Sequence, residues 1–164
     1  MSKIEQAQAE YETFTQGFKS VMISTVSQAG IPNASYAPCV IDDAKSIYIY
    51  VSGLATHTQN LHVNPHVSVL FIDDESQTQQ IFARRRLNFD CTATLIERET
   101  QSWHEIVALF KERFGEIIHV LHDLPDFRIF RLTPHTGRFI IGFGTAYKIT
   151  GDQLDTLVHI TPNS

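Results

Sequence analysis

The stretch from Ile81 to Ile96 reads IFARRRLNFDCTATLI, and its residue types are those of a long β-strand. Successive side chains of a strand point to opposite faces, so alternate residues of this stretch form two sets. The apolar set consists of Ile81, Ala83, Arg85, Leu87, Phe89, Cys91, Ala93 and Leu95. Arg84 and Arg86 fall in the other, mostly polar set. We therefore expect a strand that is buried on one face and polar on the other.

Shorter β-type segments joined by turn sequences flank this strand on both sides. They cover residues 21–26, 34–41, 46–51 and 67–72 before it, and 127–132 and 138–149 after it. The glycines at positions 142 and 144 indicate a bulge or a close backbone approach in the last segment. Short connections favour antiparallel pairing, because parallel strands need long crossovers. A β-barrel is therefore the favoured architecture, with a helix-flanked open sheet as the alternative.

Helical patterns complete the expected fold. A capping box at residues 2–5 and apolar residues at helical spacing predict an N-terminal helix over residues 3–19. A short polar helix is expected over residues 56–62. A second capping box at residues 102–105 precedes a further apolar stripe, and Gly115 is expected to bend that helix. Helices are thus added to the barrel at its start and between strands.

Length and composition describe an ordinary globular chain. The 164 residues are a one-domain length, so we expect residues 1–164 to form a single domain. In it the N-terminal helix spans about 3–19, the barrel about 21–149 and a short C-terminal segment 150–164. A hydrophobic fraction of 43% excludes a disordered chain. With 13 basic and 18 acidic residues the net charge is −5, which argues against a nucleic-acid partner.

Cysteine usage and hydropathy indicate a cytoplasmic protein without a membrane partner. Cys39 and Cys91 are far apart and lie outside any CxxC motif, so neither a disulfide framework nor a zinc ribbon is expected. No apolar run approaches the ~20 residues of a membrane span. Residues 1–6 also lack the apolar region of a signal peptide.

The arginine cluster is the strongest candidate for a binding site. On a regular strand Arg84 and Arg86 point the same way, roughly 6.5–7 Å apart, which suits a phosphate or paired propionates. The alternatives are a structural ion pair or a charged guard of a sheet edge. Arg85 falls on the apolar face and must find an acceptor, because an unpaired buried charge is costly. We expect it to face the interior or a subunit contact.

Other chemical motifs are weak. His119 and His122 have the i, i+3 spacing of a metal site, but no third ligand accompanies them, and a solvated helix face explains them as well. The chain contains no nucleophile elbow, dinucleotide-binding fingerprint or phosphate-binding loop. If the protein is an enzyme, a cofactor is therefore expected to carry the reaction.

Five segments in this order resemble the HugZ/HutZ haem-utilisation family. They are PNASYAP at 32–38, THTQNL at 56–61, FARRRLNFD at 82–90, RFGE at 113–116 and GRFIIGFGTAY at 137–147. The resemblance runs from about Glu12 to His159 and includes the wider pyridoxamine 5′-phosphate oxidase-like group. It implies a mainly β, α+β fold: a six-stranded antiparallel split barrel of the FMN-binding type with N-terminal and inserted helices. It also implies a homodimer with ligand sites at the subunit interface.

The resemblance also implies a small anionic cofactor and the residues that bind it. An arginine beside the haem in this family matches Arg86. An aspartate before a Phe-x-x-Phe strand matches Asp126, and a histidine of the short helix after the third strand matches His57. The expected cofactor-binding residues are Arg86, Arg84, His57, Asp126, Thr56 and Asn60. We expect His57 and Asp126 to form a hydrogen-bonded pair in the dimer cleft.

The metal ligand is a further point of comparison. The haem-ligating histidine of the family lies in a C-terminal tail, a few residues past the position of Val158 and His159. Here the sequence after His159 reads ITPNS, so the tail histidine has no match among these residues. His159 is the nearest candidate for a metal ligand.

Three functions remain open from the sequence. The first is a haem-binding protein of haem and iron utilisation, with or without oxidative haem degradation at the dimer interface. The second is an FMN-binding, pyridoxamine 5′-phosphate oxidase-like oxidoreductase, although a Ser-Arg-Lys run of such enzymes is replaced here by Ala55-Thr56-His57. A mostly neutral histidine anchors a phosphate less well than lysine does. The third is a non-enzymatic carrier of haem or another anion.

Overall fold

The computed structural model describes all residues from Met1 to Ser164 as eight strands and four α-helices, with short 3₁₀ turns between them. The strands are β1 Ser20–Val26, β2 Pro32–Ile41, β3 Ile47–Ser52, β4 His66–Ile72, β5 Arg86–Ile96, β6 Phe127–Gly142, β7 Thr145–Thr150 and β8 Thr156–His159. The helices are α1 Lys3–Phe14, α2 Thr56–Val63, α3 Gln101–Phe114 and α4 Ile117–His122. The 3₁₀ turns are Thr15–Gly17, Glu75–Gln77 and Ile81–Ala83.

One antiparallel sheet contains all eight strands, in the order β3-β2-β1-β4-β5-β6-β7-β8. Strand β3 also pairs with β6, and this contact closes the first six strands into a barrel. The first half of β6 pairs with β3 and its last residues pair with β7, so the β7–β8 hairpin extends the sheet beyond the barrel. The predicted six-stranded antiparallel barrel with added helices is confirmed.

Strand β6 differs from the sequence prediction. It runs unbroken for 16 residues, whereas separate strands over 127–132 and 138–149 were expected. The chain turns at the glycines instead: Gly144 has φ of 65°, and β7 begins after it. Within β6, a Cβ atom on Gly137 would lie 2.7 Å from the Phe89 ring. Glycine at position 137 is therefore what allows β5 and β6 to pack together at this point.

The helical segments also begin and end differently from the prediction. Helix α1 stops at Phe14 rather than at residue 19, because a 3₁₀ turn leads into β1. The cap of α3 is Thr100, whose hydroxyl accepts the Trp103 amide, so the capping box predicted at 102–105 is wrong. At Gly115 a φ of 80° ends α3 and separates it from α4. None of the helices is long and apolar enough to cross a membrane.

Apolar side chains form two cores. The larger one fills the barrel, and α1 covers one end of it with Ala7, Tyr11 and Phe14. The smaller one lies between the outside of the barrel and the helices α3 and α4, and is built around Tyr48, Tyr50, Trp103, Ile106, Phe110, Ile118 and Ile129. The smaller core covers the outer face at Val40 of β2, Ile96 of β5 and Ile129 of β6, and contains no residue of β1, β4 or β7.

Candidate functional site

The arginine cluster spans the boundary between a turn and a strand. Strand β5 starts at Arg86, and residues 81–83 form a 3₁₀ turn. Arg84 therefore lies before the strand, where its Nε donates to the Asp73 carbonyl at 2.6 Å and its Nη1 lies 3.4 Å from a Glu75 carboxylate oxygen. The argument that strand alternation aligns Arg84 with Arg86 is wrong. Arg84 instead ties the preceding loop together.

Arg85 finds its acceptors within the same chain. Its Nε donates to an Asp73 carboxylate oxygen at 2.9 Å and its Nη1 to Glu10 at 3.1 Å. The guanidinium also lies 4.8 Å from the centre of the Phe14 ring. The expectation that Arg85 must be paired is confirmed, and the side chain remains half-exposed. Its contacts fasten α1 to the start of β5.

Seven strands contribute one residue each to a row across the outer face of the sheet. Backbone register pairs Tyr36 with Met22, Met22 with Leu70, Leu70 with Asn88, Asn88 with Arg138, Arg138 with Lys148 and Lys148 with Val158. Directly opposite residues of antiparallel strands share a face, so these side chains form a continuous strip, which we call the outer row. The outer row is apolar on β2, β1 and β4, and positively charged on β6 and β7.

The positive end of the outer row is not neutralised within the chain. Arg138 and Lys148 are exposed and directly opposite each other, and neither forms an ion pair or a side-chain hydrogen bond. Arg86 lies on the same face, two residues before Asn88, and donates only to the Arg84 carbonyl at 2.7 Å. Like charges facing each other on neighbouring strands are destabilising. An anion bound here would relieve that repulsion.

His57 is the second residue of α2 and lies half-buried against β2. Its Nδ1 lies 2.8 Å from the Ser35 hydroxyl, and its Nε2 is buried without a partner. Burial lowers the pKa of His57, so the ring is neutral near pH 7. Because buried polar atoms are nearly always paired, this free Nε2 is a position where a ligand or a second chain would complete the hydrogen bonding.

Other predicted residues of α2 have separate roles. Asn60 is buried and donates its Nδ2 to the Thr25 hydroxyl at 3.0 Å, which fastens the helix to the barrel. Thr56 is exposed in the first turn. Ala55 provides no side-chain cap, and the Thr58 hydroxyl is buried without a partner. The start of α2 therefore retains unsatisfied polar groups.

Asp126 lies beside the end of β3 and does not contact His57 through a hydrogen bond in this chain. Its carboxylate accepts a hydrogen bond from the Ser52 hydroxyl at 3.3 Å. A Cβ on Gly53 would lie 2.6 Å from the Asp126 carbonyl oxygen, so the glycine permits this close approach. The expected pairing of His57 with Asp126 is not formed within one chain.

Arg86 and His57 also lie apart in a single chain. Across β2, β1, β4 and β5 the register aligns Ser35, the partner of His57, with Phe89. Three strand spacings of about 4.8 Å each separate them. Arg86 lies three residues from Phe89 and faces outward. The strand register therefore keeps Arg86 and His57 apart within one chain.

His159 lies on the other face of the sheet. It is paired with Tyr147, whose buried ring is 5.4 Å away, whereas Lys148 and Val158 belong to the outer row. Its Nε2 donates to the Gly144 carbonyl at 2.7 Å, because a carbonyl oxygen only accepts. The structure thus does not bring His159 together with Arg86. The hydrogen bond of His159 instead links β8 to the turn between β6 and β7.

Comparison with known proteins identifies the relatives of this chain. The pyridoxamine 5′-phosphate oxidase family model matches residues 7–141. Heme oxygenase HutZ of Vibrio cholerae serotype O1 is 44% identical over 151 residues, which cover 92% of this chain and 85% of the relative. This chain belongs to the HutZ/HugZ family.

Solved structures agree with this membership. A crystal structure of Vibrio cholerae HutZ, described as a heme storage protein, is 43% identical with a TM-score of 0.74, covering 77% of this chain and 89% of that chain. Campylobacter jejuni ChuZ is 31% identical with a TM-score of 0.85, and the match covers 95% of this chain and 63% of ChuZ. The split barrel of the HutZ/HugZ family is therefore shared over nearly the whole chain.

Two charged residues of this HutZ/HugZ chain escaped the sequence interpretation. Arg138 and Lys148 had been assigned to one continuous strand, which hid their pairing. A hairpin centred on Phe143 brings them opposite each other, since both lie five residues from that centre. The glycines on either side of Phe143 were the available signal for such a hairpin.

Proposed function

We propose that this protein binds haem in a pathway of haem utilisation. The observation that carries the proposal is the 44% identity, over 92% of the chain, with the protein called heme oxygenase HutZ. The geometry supports the same ligand. Haem combines a flat apolar ring with propionates, and the outer row combines an apolar strip with unneutralised cations.

The charged half of the outer row suits the propionates. Arg138 and Lys148 present free donors side by side, and Arg86 lies next to them on the same face. Guanidinium and ammonium groups bind carboxylates through charge-assisted hydrogen bonds, which are about twice as strong as neutral ones. Arg86 is the expected contact closest to the ring, and Arg138 and Lys148 are the expected propionate anchors.

The apolar half of the outer row supports a homodimer. Met22 is 51% exposed and Tyr36 is 60% exposed although they face each other on adjacent strands. Contiguous exposed apolar surface commonly marks an interaction site. A second copy covering this half would bring its own His57 and Asp126 to the first chain. Pairing between subunits would then satisfy the free His57 Nε2.

Bound haem has two possible fates in a protein of this family: oxidative degradation or storage. The protein from Vibrio cholerae is called a heme oxygenase in one description and a heme storage protein in another. Both outcomes use the same binding face, and they differ in whether the bound haem is consumed.

Both cysteines are buried and unpaired, which is consistent with a cytoplasmic location.

A haemin titration followed by reduction tests the proposal. Purified protein is titrated with haemin, and we expect a Soret band that saturates near one haem per chain. Ascorbate is then added in air: decay of the Soret band with iron release identifies an oxygenase, and a stable band identifies a carrier. Absence of a saturable Soret band would overturn the proposal. Saturable quenching of FMN fluorescence in that case would favour a flavoprotein.

A further inference from the structure

A cavity lies at the end of the barrel covered by α1, away from the outer row. Its volume is about 390 Å³. The deep wall is apolar and comes from the inner faces of β2 to β5: Cys39, Ile41, Ile47, Phe71, Leu87 and Phe89. Tyr11 and Phe18 close it from the side of α1 and the turn that follows. All the strand residues of this wall point into the barrel, so the cavity is separate from the outer row.

Charged side chains surround the mouth of the cavity. The acidic ones are Glu12, Asp42 and Asp43, and the basic ones are Lys45 and Arg113. Asp42 is already satisfied, because its carboxylate accepts the Ala44 and Ser46 amides and the Tyr48 hydroxyl. Glu12 and Asp43 are exposed to solvent. Asp42 is therefore held in place by hydrogen bonds from this chain, whereas Glu12 and Asp43 lie exposed at the rim, as Arg113 does.

The basic side of the mouth keeps free donors. Lys45 donates to the Gln153 carbonyl at 3.0 Å, and Arg113 donates to the Phe18 carbonyl; neither forms an ion pair. A guanidinium has five N–H donors, so most of those on Arg113 are unused. The charge of Arg113 also reaches Cys39 in the deep wall. Burial raises the pKa of the Cys39 thiol to about 12, and the positive charge of Arg113 opposes that rise.

The size of the cavity limits its occupant. A water molecule takes about 30 Å³ of liquid volume, so the cavity corresponds to about thirteen waters. A chain or small ring system of about ten to fourteen non-hydrogen atoms would fill it. Pockets of this size, apolar with a few convergent polar groups, are typical of small-molecule sites.

We propose that this cavity binds a small apolar monocarboxylic acid, with the hydrocarbon part in the barrel mouth and the carboxylate on Arg113. The charge of Arg113 selects the sign of the head group, and the wall around Cys39 selects an apolar body. The site does not depend on the proposed haem binding, because its apolar wall lies on the inner face of the barrel and the outer row lies on the outer face.

Calorimetric titration of the full chain with decanoate tests this site, with decyltrimethylammonium as the cationic control of equal chain length. We expect saturable decanoate binding at one site per chain and at least tenfold weaker binding of the cation. Arg113→Gln should weaken decanoate binding at least tenfold, whereas Lys111→Gln on the same helix should leave it unchanged. Cys39→Leu should weaken decanoate binding because the larger side chain occupies part of the cavity. If Cys39→Leu does not fold, Ile41→Phe tests the same effect.

The outcomes separate this site from the haem face. All four variants should keep the haemin affinity of the wild type, so loss of decanoate binding alone supports the proposal. No saturable decanoate binding, equal binding of the cationic control, or unchanged affinity in Arg113→Gln would overturn it. Competition between haemin and decanoate for one site would also contradict it.

Discussion

The three adjacent arginines have three different environments. Arg84 closes the loop before β5, Arg85 is paired with two carboxylates, and Arg86 faces outward with only a backbone carbonyl as acceptor. Period-two reasoning anticipated that Arg85 needed a partner, because an unpaired charge beside the core is costly. It failed for Arg84, because β5 begins at Arg86, five residues later than the Ile81 start that the sequence pattern indicated. The start of a strand depends on its neighbours, which no local pattern contains.

The contacts of Arg85 predict a stability effect without an effect on ligand binding. Arg85→Ala removes two half-exposed ion pairs and a contact with the Phe14 ring, so we expect the free energy of unfolding to fall by about 1 kcal/mol. Urea denaturation measures this fall, and a double-mutant cycle with Asp73→Ala isolates one ion pair. Unchanged stability of Arg85→Ala would contradict the role given to these contacts.

The buried ring of His57 predicts a pH dependence. Burial lowers its pKa in the folded chain below the ordinary 6.5, so the unfolded chain takes up the proton first as the pH falls. The contribution to stability is present above pH 6.5 and is lost as the pH falls from there through the folded-state pKa. Wild type should therefore lose more stability than His57→Gln between pH 7.5 and 5.5.

Denaturant titrations at the two pH values measure this difference. His66→Gln is the matched control, because His66 is exposed at the start of β4. It should keep the pH dependence of the wild type. An identical decline in wild type and His57→Gln would show that the His57 ring is not held neutral by the fold.

The sequence predicted which segments form strands and helices more accurately than it predicted the residues at which those segments begin and end. The first four strands and α2 lie where alternation and turn residues indicated, within two residues. Strand β6 was predicted as two separate segments, whereas its pairing with β5 continues through Pro134 with a register shift between Asp90 and Cys91. Such a bulge depends on the partner strand, so the sequence of β6 alone does not reveal it.

The start of α3 gives a test of local capping. Thr100→Ala removes the hydroxyl that accepts the Trp103 amide, and we expect a loss of about 1 kcal/mol in the free energy of unfolding. Ser102→Ala, which alters the residue that the sequence pattern favoured, should change stability by less than about 0.5 kcal/mol. Thermal or urea denaturation distinguishes them, and a larger loss in Ser102→Ala would restore the original assignment.

The sequence resemblance predicted the barrel, whereas the outer row is visible only once the order of the strands in the sheet is known. Its seven residues are scattered from Met22 to Val158 and share a face only through the strand order. The predicted binding residues divide into an outward group at Arg86 and a group around His57. Their separation in one chain is consistent with the proposal that a second copy completes the site.

Assembly is tested at the apolar half of the outer row. Met22→Glu puts a charge into the proposed subunit contact, so we expect the wild type to sediment as a dimer and the variant as a monomer. Val120→Glu, at an exposed position of α4, is the control and should remain a dimer. A monomeric wild type, or a dimeric Met22→Glu, would contradict the proposed interface.

Haem binding by this chain is tested most directly by removing the charges of Arg138 and Lys148 at the positive end of the outer row and measuring haemin affinity. Haemin is titrated into wild type, the double variant Arg138→Gln with Lys148→Gln, and a control double variant, Lys111→Gln with Arg128→Gln. Each charge-assisted hydrogen bond contributes about 1.5–3 kcal/mol, so the first double variant should bind haemin at least tenfold more weakly. The control should match the wild type, which should saturate near one haem per chain. Wild-type affinity in the Arg138/Lys148 variant, or no saturable Soret band in the wild type, would contradict the account.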